Sequence, residues 1–363
     1  MDSVSRQGDG RGAPRRPGPI TPGRLALFSL VPALVLFGGA EIALRVARFE
    51  FHGIPRHFQF GANVDHDLQR DLAVPDDDLF WRLNVREDTA AFLIRQRHVH
   101  PDLHTPTGAD RHTPGTVRVV AMGDSCTFFG TPPYPRILER RLVERGLDAE
   151  VFSASVPGYT SHQGVRWFET EIVAYRPDWV TVYYGWNDHW LAMRTTDREL
   201  DRTTTFSGTV AARLAAHIRL VQAGAYLRAR LFRSRKGERT RRVPIDHYRD
   251  NLESLCRGIR DGGAIAVFVT APSDLDPEDV RRLQDQRQVE PDLDVARLHE
   301  EYNVVVRDVA SGCGAEIVDF AEEASRTHGF VSEDGIHLTP RGIDWLALQL
   351  ANRIGAAASG GQR

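Results

Sequence analysis

From about residue 116 onward, the chain alternates short apolar runs with longer stretches whose apolar residues recur at helical spacing. The apolar runs predict strands at 117–123, 149–156, 179–185, 264–271 and 315–320. The longer stretches predict helices near 134–146, 161–175, 245–261, 295–311 and 340–354. Strands that are apolar on both faces and alternate with helices indicate a parallel sheet covered on two sides. With right-handed crossovers, the pattern predicts an α/β fold of three layers around a five-stranded parallel sheet.

The longest apolar run, residues 25–44, contains Glu41 as its only ionisable side chain. As a helix, these twenty residues would be about 30 Å long, which matches the hydrocarbon core of a bilayer. Five arginines precede the run, and this excess of positive charge favours a cytoplasmic N-terminus. The sequence therefore predicts a transmembrane signal anchor with the following domain in the periplasm or outside the cell. The alternative is secretion after signal-peptide cleavage at the small residues Gly38 and Ala40.

The chain outside the anchor divides by composition into segments of different character. The predicted segments are a disordered tail rich in Arg, Pro and Gly at 1–24, a lead-in segment packing on the domain at 45–115, the domain itself at 116–356 and a disordered tail at 357–363. An insertion at 190–243 interrupts the domain and contains a predicted helix near 209–231 and a basic run at 228–242. A solvated, mobile insertion is the favoured interpretation. Contact with anionic headgroups or an acidic polymer is the alternative.

Charge and composition narrow the classes of partner. The net charge of −3 gives the body of the chain no reason to bind nucleic acid. Lys236 is the only lysine, which we interpret as the coding bias of a GC-rich, bacterial genome. His98, His100 and His104 lie close together, but without a neighbouring Cys or an HExxH pattern they favour a solvated loop over a metal site.

The three cysteines do not form a disulfide framework. A bridge between Cys256 and Cys313 is compatible with a location outside the cytoplasm, and the sequence leaves it open. Cys126 directly follows Ser125, where it could crowd the neighbouring serine or be oxidised.

The candidate chemistry begins where the first strand of the domain ends in Gly123-Asp124-Ser125. Ser125 could cap the next helix, or it could be a nucleophile, which would need a base, an orienting group and an oxyanion site. Gly158 follows the second strand, where a backbone N–H can point into such a site. Asn187 follows the third strand and offers a side-chain amide as a second donor.

A base and its orienting group follow the fifth strand. Asp334 precedes His337 by three residues in a turn that opens a helix, so their side chains are expected to lie side by side. The carboxylate can then accept the Nδ1–H of the imidazole and leave Nε2 facing Ser125. Because the carboxyl ends of parallel strands meet at one edge of a sheet, all of these groups are expected to converge.

Taken together, these blocks resemble the SGNH hydrolases, also called GDSL-type esterases and lipases. The resemblance rests on Gly123-Asp124-Ser125, Gly158, Gly185-Trp186-Asn187-Asp188 and Asp334-Gly-Ile-His337, in the family's order across roughly residues 115–355. It implies a flavodoxin-like α/β/α sandwich without a metal or an organic cofactor. It also implies Ser125 as nucleophile, His337 as base and Asp334 as its orienting group. The oxyanion hole would comprise Ser125, Gly158 and Asn187.

The expected activity is that of a membrane-anchored serine esterase acting on O-acyl esters, such as O-acetyl esters, of a carbohydrate or a lipid. Trp186, Asp188 and His189 are candidates for lining the substrate pocket. An O-acyltransferase using the same triad is one alternative, because the triad does not determine the acyl acceptor. A non-catalytic glycan-binding or assembly module is the other. The oligomeric state is not predicted.

Overall fold

A computed structural model describes residues 22–49, 73–76, 78–85, 87–99, 114–192, 195–203, 217–231 and 240–360. The strands in these ranges are β1 (Ala73–Asp76), β2 (Phe80–Leu83), β3 (Val117–Gly123), β4 (Ala149–Ser155), β5 (Trp179–Tyr183), β6 (Ile265–Val269) and β7 (Glu316–Val318). The α-helices are α1 (Pro22–Val46), α2 (Glu87–Arg95), α3 (Ser125–Phe128), α4 (Tyr134–Glu144), α5 (Ser161–Thr170), α6 (Asp197–Thr203), α7 (Arg219–Leu231), α8 (Ile245–Asp261), α9 (Pro277–Asp285), α10 (Val295–Cys313), α11 (Phe320–Arg326) and α12 (Pro340–Gly360). One compact unit contains α1 and α7, and a second contains the other elements.

The second unit is built on a parallel sheet with the strand order β4-β3-β5-β6-β7, while β1 and β2 form a separate antiparallel pair. The chain first adds β4 on one side of β3 and then places β5, β6 and β7 on the other. The strand order thus reverses between β3 and β5, and doubly wound folds bind their ligands at the carboxyl ends of the strands flanking such a reversal. The predicted five-stranded parallel sheet is confirmed.

Alternate residues of β3 enter two different hydrophobic cores, which explains why this strand is apolar on both faces. Val119 and Ala121 face one core, and Val120 and Met122 face the other. The first core contains buried residues of α4 and α12, and the second contains buried residues of α5, α8 and α10. Helices therefore cover both faces of the sheet, in the predicted three layers.

A disulfide joins Cys256 of α8 to Cys313, the last residue of α10. Cys126 is a buried free cysteine. The bridge that the sequence left open is thus present, and it ties together two helices on the same face of the sheet.

The lead-in segment contains more regular structure than its sequence predicts. It includes β1, β2 and α2, and its residues 97–99 pair with the outer edge of β4. Val99 N donates to Ser153 O over 2.9 Å, and Ser153 N donates to Arg97 O over 3.1 Å. Tertiary contacts stabilise these short elements, so hydrophobic periodicity along the chain does not reveal them.

Solvated side chains were predicted for the His-rich loop and for the insertion, and the structure contradicts this at His98 and at Arg242. His98 is buried and its ring packs on Phe128 at 4.8 Å between centroids, whereas His100 and His104 lie outside the described residues. At the C-terminal end of the basic run, Arg242 is fully buried because the surrounding polar groups and a carboxylate bind its guanidinium. Residues 232–239 of that run are likewise outside the described ranges.

The first unit contains the apolar run 25–44 within the longer helix α1. No helix among the described residues meets the length and apolarity expected of a membrane span. Glu41 accepts hydrogen bonds from the backbone N–H groups of Arg219 and Leu220, at the start of α7. The predicted helix near 209–231 is described from Arg219 only, and residues 204–216 are outside the described ranges.

The described helix α12 continues to Gly360, four residues past the predicted end of the domain at 356. The remaining residues of the predicted C-terminal tail, and residues 1–21 of the N-terminal tail, lie outside the described ranges.

Candidate active site

Ser125 is the first residue of α3, directly after β3, and the two residues before it make this sharp turn possible. A Cβ on Gly123 would lie 2.1 Å from Thr127 Oγ1 and 2.8 Å from the backbone oxygen of Tyr183, so only glycine fits. Asp124 caps α3, since its Oδ1 accepts a hydrogen bond from Cys126 N over 2.9 Å. The turn leaves the side chain of Ser125 partly exposed at the carboxyl end of the sheet.

Ser125, His337 and Asp334 form a continuous hydrogen-bonded series. The distance from His337 Nε2 to Ser125 Oγ is 2.9 Å, and that from His337 Nδ1 to Asp334 Oδ2 is 2.5 Å. With the proton on Nδ1 donated to Asp334, Nε2 is an acceptor for the hydroxyl proton of Ser125. This is the arrangement that activates a serine.

The loop around Asp334 keeps its carboxylate ionised. Partial burial alone would raise the pKa of Asp334, but hydrogen bonds from the His337 ring and from the N–H groups of His337 and Ile336 lower it well below its usual range. Ser332 Oγ also donates to Asp334 Oδ1 over 2.8 Å. An ionised carboxylate at this point favours the imidazolium that forms when His337 takes a proton.

Arg282 is a residue that sequence reasoning missed. It donates from Nη2 to the backbone oxygen of Asp334 over 2.9 Å and forms a 2.7 Å ion pair with Asp279 on α9. The helix α9 was itself not predicted, because it is only nine residues long and most of its residues are polar. It nevertheless fixes the loop that carries two members of the triad.

The two other predicted oxyanion donors follow neighbouring strands. Gly158 comes after β4 with a φ of 84°, a left-handed conformation that favours glycine. Asn187 comes after β5, and its Nδ2 donates to Asp124 Oδ2 over 2.8 Å. Asp124 thus fixes both the start of α3 and the amide of Asn187. Since an amide nitrogen has two hydrogens, one of them remains for a substrate.

Burial raises the pKa of Asp124 to about 6, although hydrogen bonds from Cys126 and Asn187 lower it. Above that pH the carboxylate accepts from two donors, and the charge of His337 also favours its ionised form. Asp124 therefore lies beneath the nucleophile as an acceptor and not as a proton donor at neutral pH.

The three candidates for lining the pocket are instead buried in the core, which corrects that prediction. Trp186 stacks on His299 at 3.8 Å between centroids, and His189 Nε2 lies 3.0 Å from His299 Nδ1. Asp188 Oδ1 accepts from both the N–H and the hydroxyl of Ser161, over 2.9 and 2.5 Å. All three have at most 2% of their surface exposed, so they support the Asn187 loop from beneath.

Two residues close to Ser125 in the sequence, Cys126 and Phe129, differ in their exposure to solvent. Cys126 is buried, with its Sγ 3.8 Å from the backbone oxygen of Ile336, and burial raises the pKa of its thiol well above the usual value. Phe129 is 49% exposed and packs edge-on against His337 at 5.3 Å. Sequence reasoning did not single out Phe129.

Among the described residues, no group of three or more His, Cys, Asp or Glu side chains is arranged to hold a metal ion. The chemistry that the described side chains support is proton transfer from a serine hydroxyl to a histidine, next to hydrogen-bond donors suited to an oxyanion.

Comparison with known proteins agrees with this chemistry. The model of the GDSL-like Lipase/Acylhydrolase family matches residues 121–345, which include all five predicted catalytic and oxyanion residues. No curated protein matches the chain.

Three solved structures are similar to this chain, each at low identity. A lipase/acylhydrolase from Enterococcus faecalis is 18% identical over 66% of this chain and 96% of its own, with a TM-score of 0.44. The acetyl xylan esterase AlAXEase is 14% identical over 66% of this chain and 100% of its own, with a TM-score of 0.43. The acetylxylan esterase Axe2 from Geobacillus stearothermophilus is 18% identical over 66% and 94%, with a TM-score of 0.41.

Proposed function

Because the chain belongs to the GDSL-like lipase/acylhydrolase family and is on that ground an ester-hydrolysing enzyme, we propose that it cleaves O-acyl esters through an acyl-serine intermediate on Ser125. The observation that carries the proposal is the series Asp334–His337–Ser125, with its two hydrogen-bond distances of 2.5 and 2.9 Å. A protein that only binds glycans does not need a serine, a histidine and an aspartate joined by hydrogen bonds.

The first half of the reaction forms the acyl-serine. His337 Nε2 takes the Ser125 proton while Oγ attacks the ester carbonyl, and the resulting imidazolium is stabilised by ionised Asp334. The imidazolium then returns its proton to the departing alcohol oxygen as the C–O bond breaks.

The second half transfers the acyl group to water. His337 removes a proton from the water as it attacks the acyl carbonyl, and Ser125 leaves with that proton. In both halves the negative oxygen would be bound by the N–H groups of Ser125 and Gly158 and by the side chain of Asn187. Each such donor is typically worth about 10²–10³ in rate.

We propose O-acyl groups, with O-acetyl as the leading candidate, on a carbohydrate or lipid of the cell envelope as the substrate class. The half-exposed ring of Phe129 against His337 places an apolar surface beside the reacting atoms, where it can contact the acyl group. A panel of p-nitrophenyl esters from acetate to laurate measures the preferred acyl length. A preference for laurate would contradict an acetyl substrate.

The activated serine is tested by treating the full-length protein with a fluorophosphonate probe beside Ser125→Ala and His337→Ala variants. Labelling should vanish in Ser125→Ala and fall by at least about 10³ in rate in His337→Ala. No labelling of a folded parent would refute the proposed mechanism. Product analysis in the presence of sugar alcohols separates hydrolysis from acyl transfer, since a transferase would form the sugar ester.

We also propose that α1 anchors the chain in a membrane and that the enzyme acts in the periplasm or outside the cell. Leu34, Val35 and Leu36 are 68–69% exposed on α1, so an apolar surrounding would stabilise them. The Cys256–Cys313 disulfide favours an oxidising compartment. Retention in carbonate-washed membranes is the expected result. A soluble mature protein whose N-terminal sequence begins near residue 41 would instead establish signal-peptide cleavage.

A further inference from the structure

The two ends of the insertion 190–243 meet inside the domain, behind the loop that carries Gly158. Asp197, at the start of α6, and Arg242 both have 0% of their side chains exposed, and their charged atoms are 3.1 Å apart. Their backbones are also joined, since Asp197 N donates to Arg242 O over 2.8 Å. An ion pair without access to water depends for its stability on the remaining hydrogen bonds that the protein makes to it.

Those remaining bonds lead to the Gly158 loop. Arg242 donates from Nη1 to the backbone oxygen of Gly158 over 2.7 Å and from Nη2 to Gln163 Oε1 over 3.3 Å. Asp197 Oδ2 accepts from Thr160 Oγ1 over 2.8 Å. The guanidinium carbon also lies 5.7 Å from the ring centroid of Trp81, a residue of β2. The pair therefore binds the segment between β4 and α5 at Gly158 and Thr160, and the first turn of α5 at Gln163.

A glycine with a φ of 84° does not hold its own N–H in a fixed direction, because glycine rotates more freely than any other residue. A bond from outside the loop to its carbonyl oxygen restricts that rotation. The planar fork of arginine can bind Gly158 O and Asp197 at once, which the single ammonium of lysine cannot do in the same geometry.

We propose that Arg242, oriented by Asp197, is a positioning residue that fixes the Gly158 N–H for oxyanion binding. The insertion thus contributes a residue that supports the active site. The inference rests on the proposed function, in which Gly158 is an oxyanion donor. Arg242 itself touches no reacting atom and acts through the carbonyl oxygen of Gly158.

The test compares Arg242→Lys with a matched control, Arg118→Lys, in the full-length protein. Arg118 is also a buried arginine: it donates to a backbone oxygen, that of Tyr175, over 2.7 Å and pairs with Glu150 at 3.1 Å. It lies near the opposite end of β3 from Ser125, so its replacement loosens the fold without touching the oxyanion site.

Three quantities are measured with p-nitrophenyl acetate: kcat per serine titrated by a fluorophosphonate, KM, and the inhibition constant for butylboronic acid. A boronic acid forms a tetrahedral adduct with an activated serine and so reports oxyanion binding, and its inhibition constant does not depend on how much enzyme is folded. Arg242→Lys should lower kcat by about tenfold or more and raise the inhibition constant by a similar factor, with KM within about twofold. Arg118→Lys should leave all three within about twofold.

Equal kcat and equal inhibition constants in Arg242→Lys and the parent would overturn the inference, as would equal losses in Arg242→Lys and Arg118→Lys. Should Arg242→Lys not fold by circular dichroism, Asp197→Asn decides the question with the same three measurements and the same expected changes. A folded parent with neither esterase activity nor a titratable serine would overturn the proposed function and this inference with it. An active parent with unaffected variants would overturn the inference alone.

Discussion

The buried carboxylate of Asp188 allows a stability prediction whose sign and pH range both follow from the structure. Asp188 is fully buried, and burial raises the pKa of its carboxyl to about 7, although the bonds from Ser161 and the charge of Arg242 lower it. Its Oδ1 accepts two hydrogen bonds from Ser161, and its Oδ2 has no partner in the described structure. The substitution Asp188→Asn keeps a side-chain oxygen that can accept from Ser161, and it removes the negative charge.

The sign follows from proton linkage. Between pH 3.8 and about 7 the folded state holds a proton on Asp188 that the unfolded state has released, so stability falls as pH rises through this range. Above pH 7 the folded protein carries the whole cost of the buried charge. A rise in pKa from 3.8 to about 7 corresponds to about 4 kcal/mol, which is an upper limit.

The asparagine at position 188 recovers only part of that energy, because its Nδ2 becomes a buried donor without a partner, at a cost of about 1–3 kcal/mol. The net expectation at pH 8 is a gain of about 1–3 kcal/mol in the free energy of unfolding. The gain should shrink steadily toward pH 4, where the parent aspartate is already neutral in the folded state.

Urea denaturation of parent and Asp188→Asn at pH 8, 6 and 4.5 measures this difference directly. Asp188→Ala is the matched variant that also removes the two bonds to Ser161, and it should be less stable than Asp188→Asn at every pH. A stability difference between parent and Asp188→Asn that does not vary with pH would refute the reasoning. A loss of stability in Asp188→Asn that is larger at pH 8 than at pH 4.5 would refute it more strongly, since the charge would then be stabilising.

Three further predictions concern the triad, the nucleophile turn and the disulfide. Asp334→Asn should lower kcat on the order of 10³–10⁴ with little change in KM, because an amide cannot stabilise the imidazolium; steady-state kinetics with p-nitrophenyl acetate check this, and a KM effect alone would contradict it. Gly123→Ala should lose fluorophosphonate labelling and melt at a lower temperature. Its Cβ would lie 2.8 Å from the backbone oxygen of Tyr183, which cannot move away easily. Labelling of a folded variant at the parent rate would contradict this prediction. Replacing Cys256 and Cys313 by serine, or reducing the bridge, should lower the free energy of unfolding by up to about 4 kcal/mol, given a sequence separation of 57 residues. Thermal unfolding with and without reductant measures the loss, and an unchanged melting temperature would contradict the prediction.

The sequence reveals the site because the chemistry of a serine nucleophile requires particular residue types at strand ends. Ser125 and Asn187 each closely follow a predicted strand, and neighbouring parallel strands bring their carboxyl ends to one edge of the sheet. The three-residue spacing of Asp334 and His337 likewise places two side chains together through local geometry alone. These features depend on periodicity and short separations, which are readable along the chain.

Residues that act across the fold were not readable in this way. Nothing in the spacing of Asp124 and Asn187 indicates that they hydrogen bond, since their contact depends on β3 and β5 being neighbours in the sheet. Arg242 is one arginine in a basic run, and its sequence neighbours favour a solvated position. Its burial arises because Asp197, Gly158 and Gln163, all distant in sequence, form a polar site of complementary charge around it.

By itself, the sequence therefore predicted the five strands of the parallel sheet, the main helices that cover it, the three-layer class and the candidate triad, because each of these follows from local periodicity or from residue chemistry. Only the tertiary structure decided which polar side chains support the triad and which predicted pocket residues are core. The physical reason is that burial and ion pairing depend on what surrounds a side chain in space. Trp186, Asp188 and His189 are next to Asn187 in the chain, yet the side chains of all three are buried in the interior. The pattern of residues along the sequence did not predict this burial.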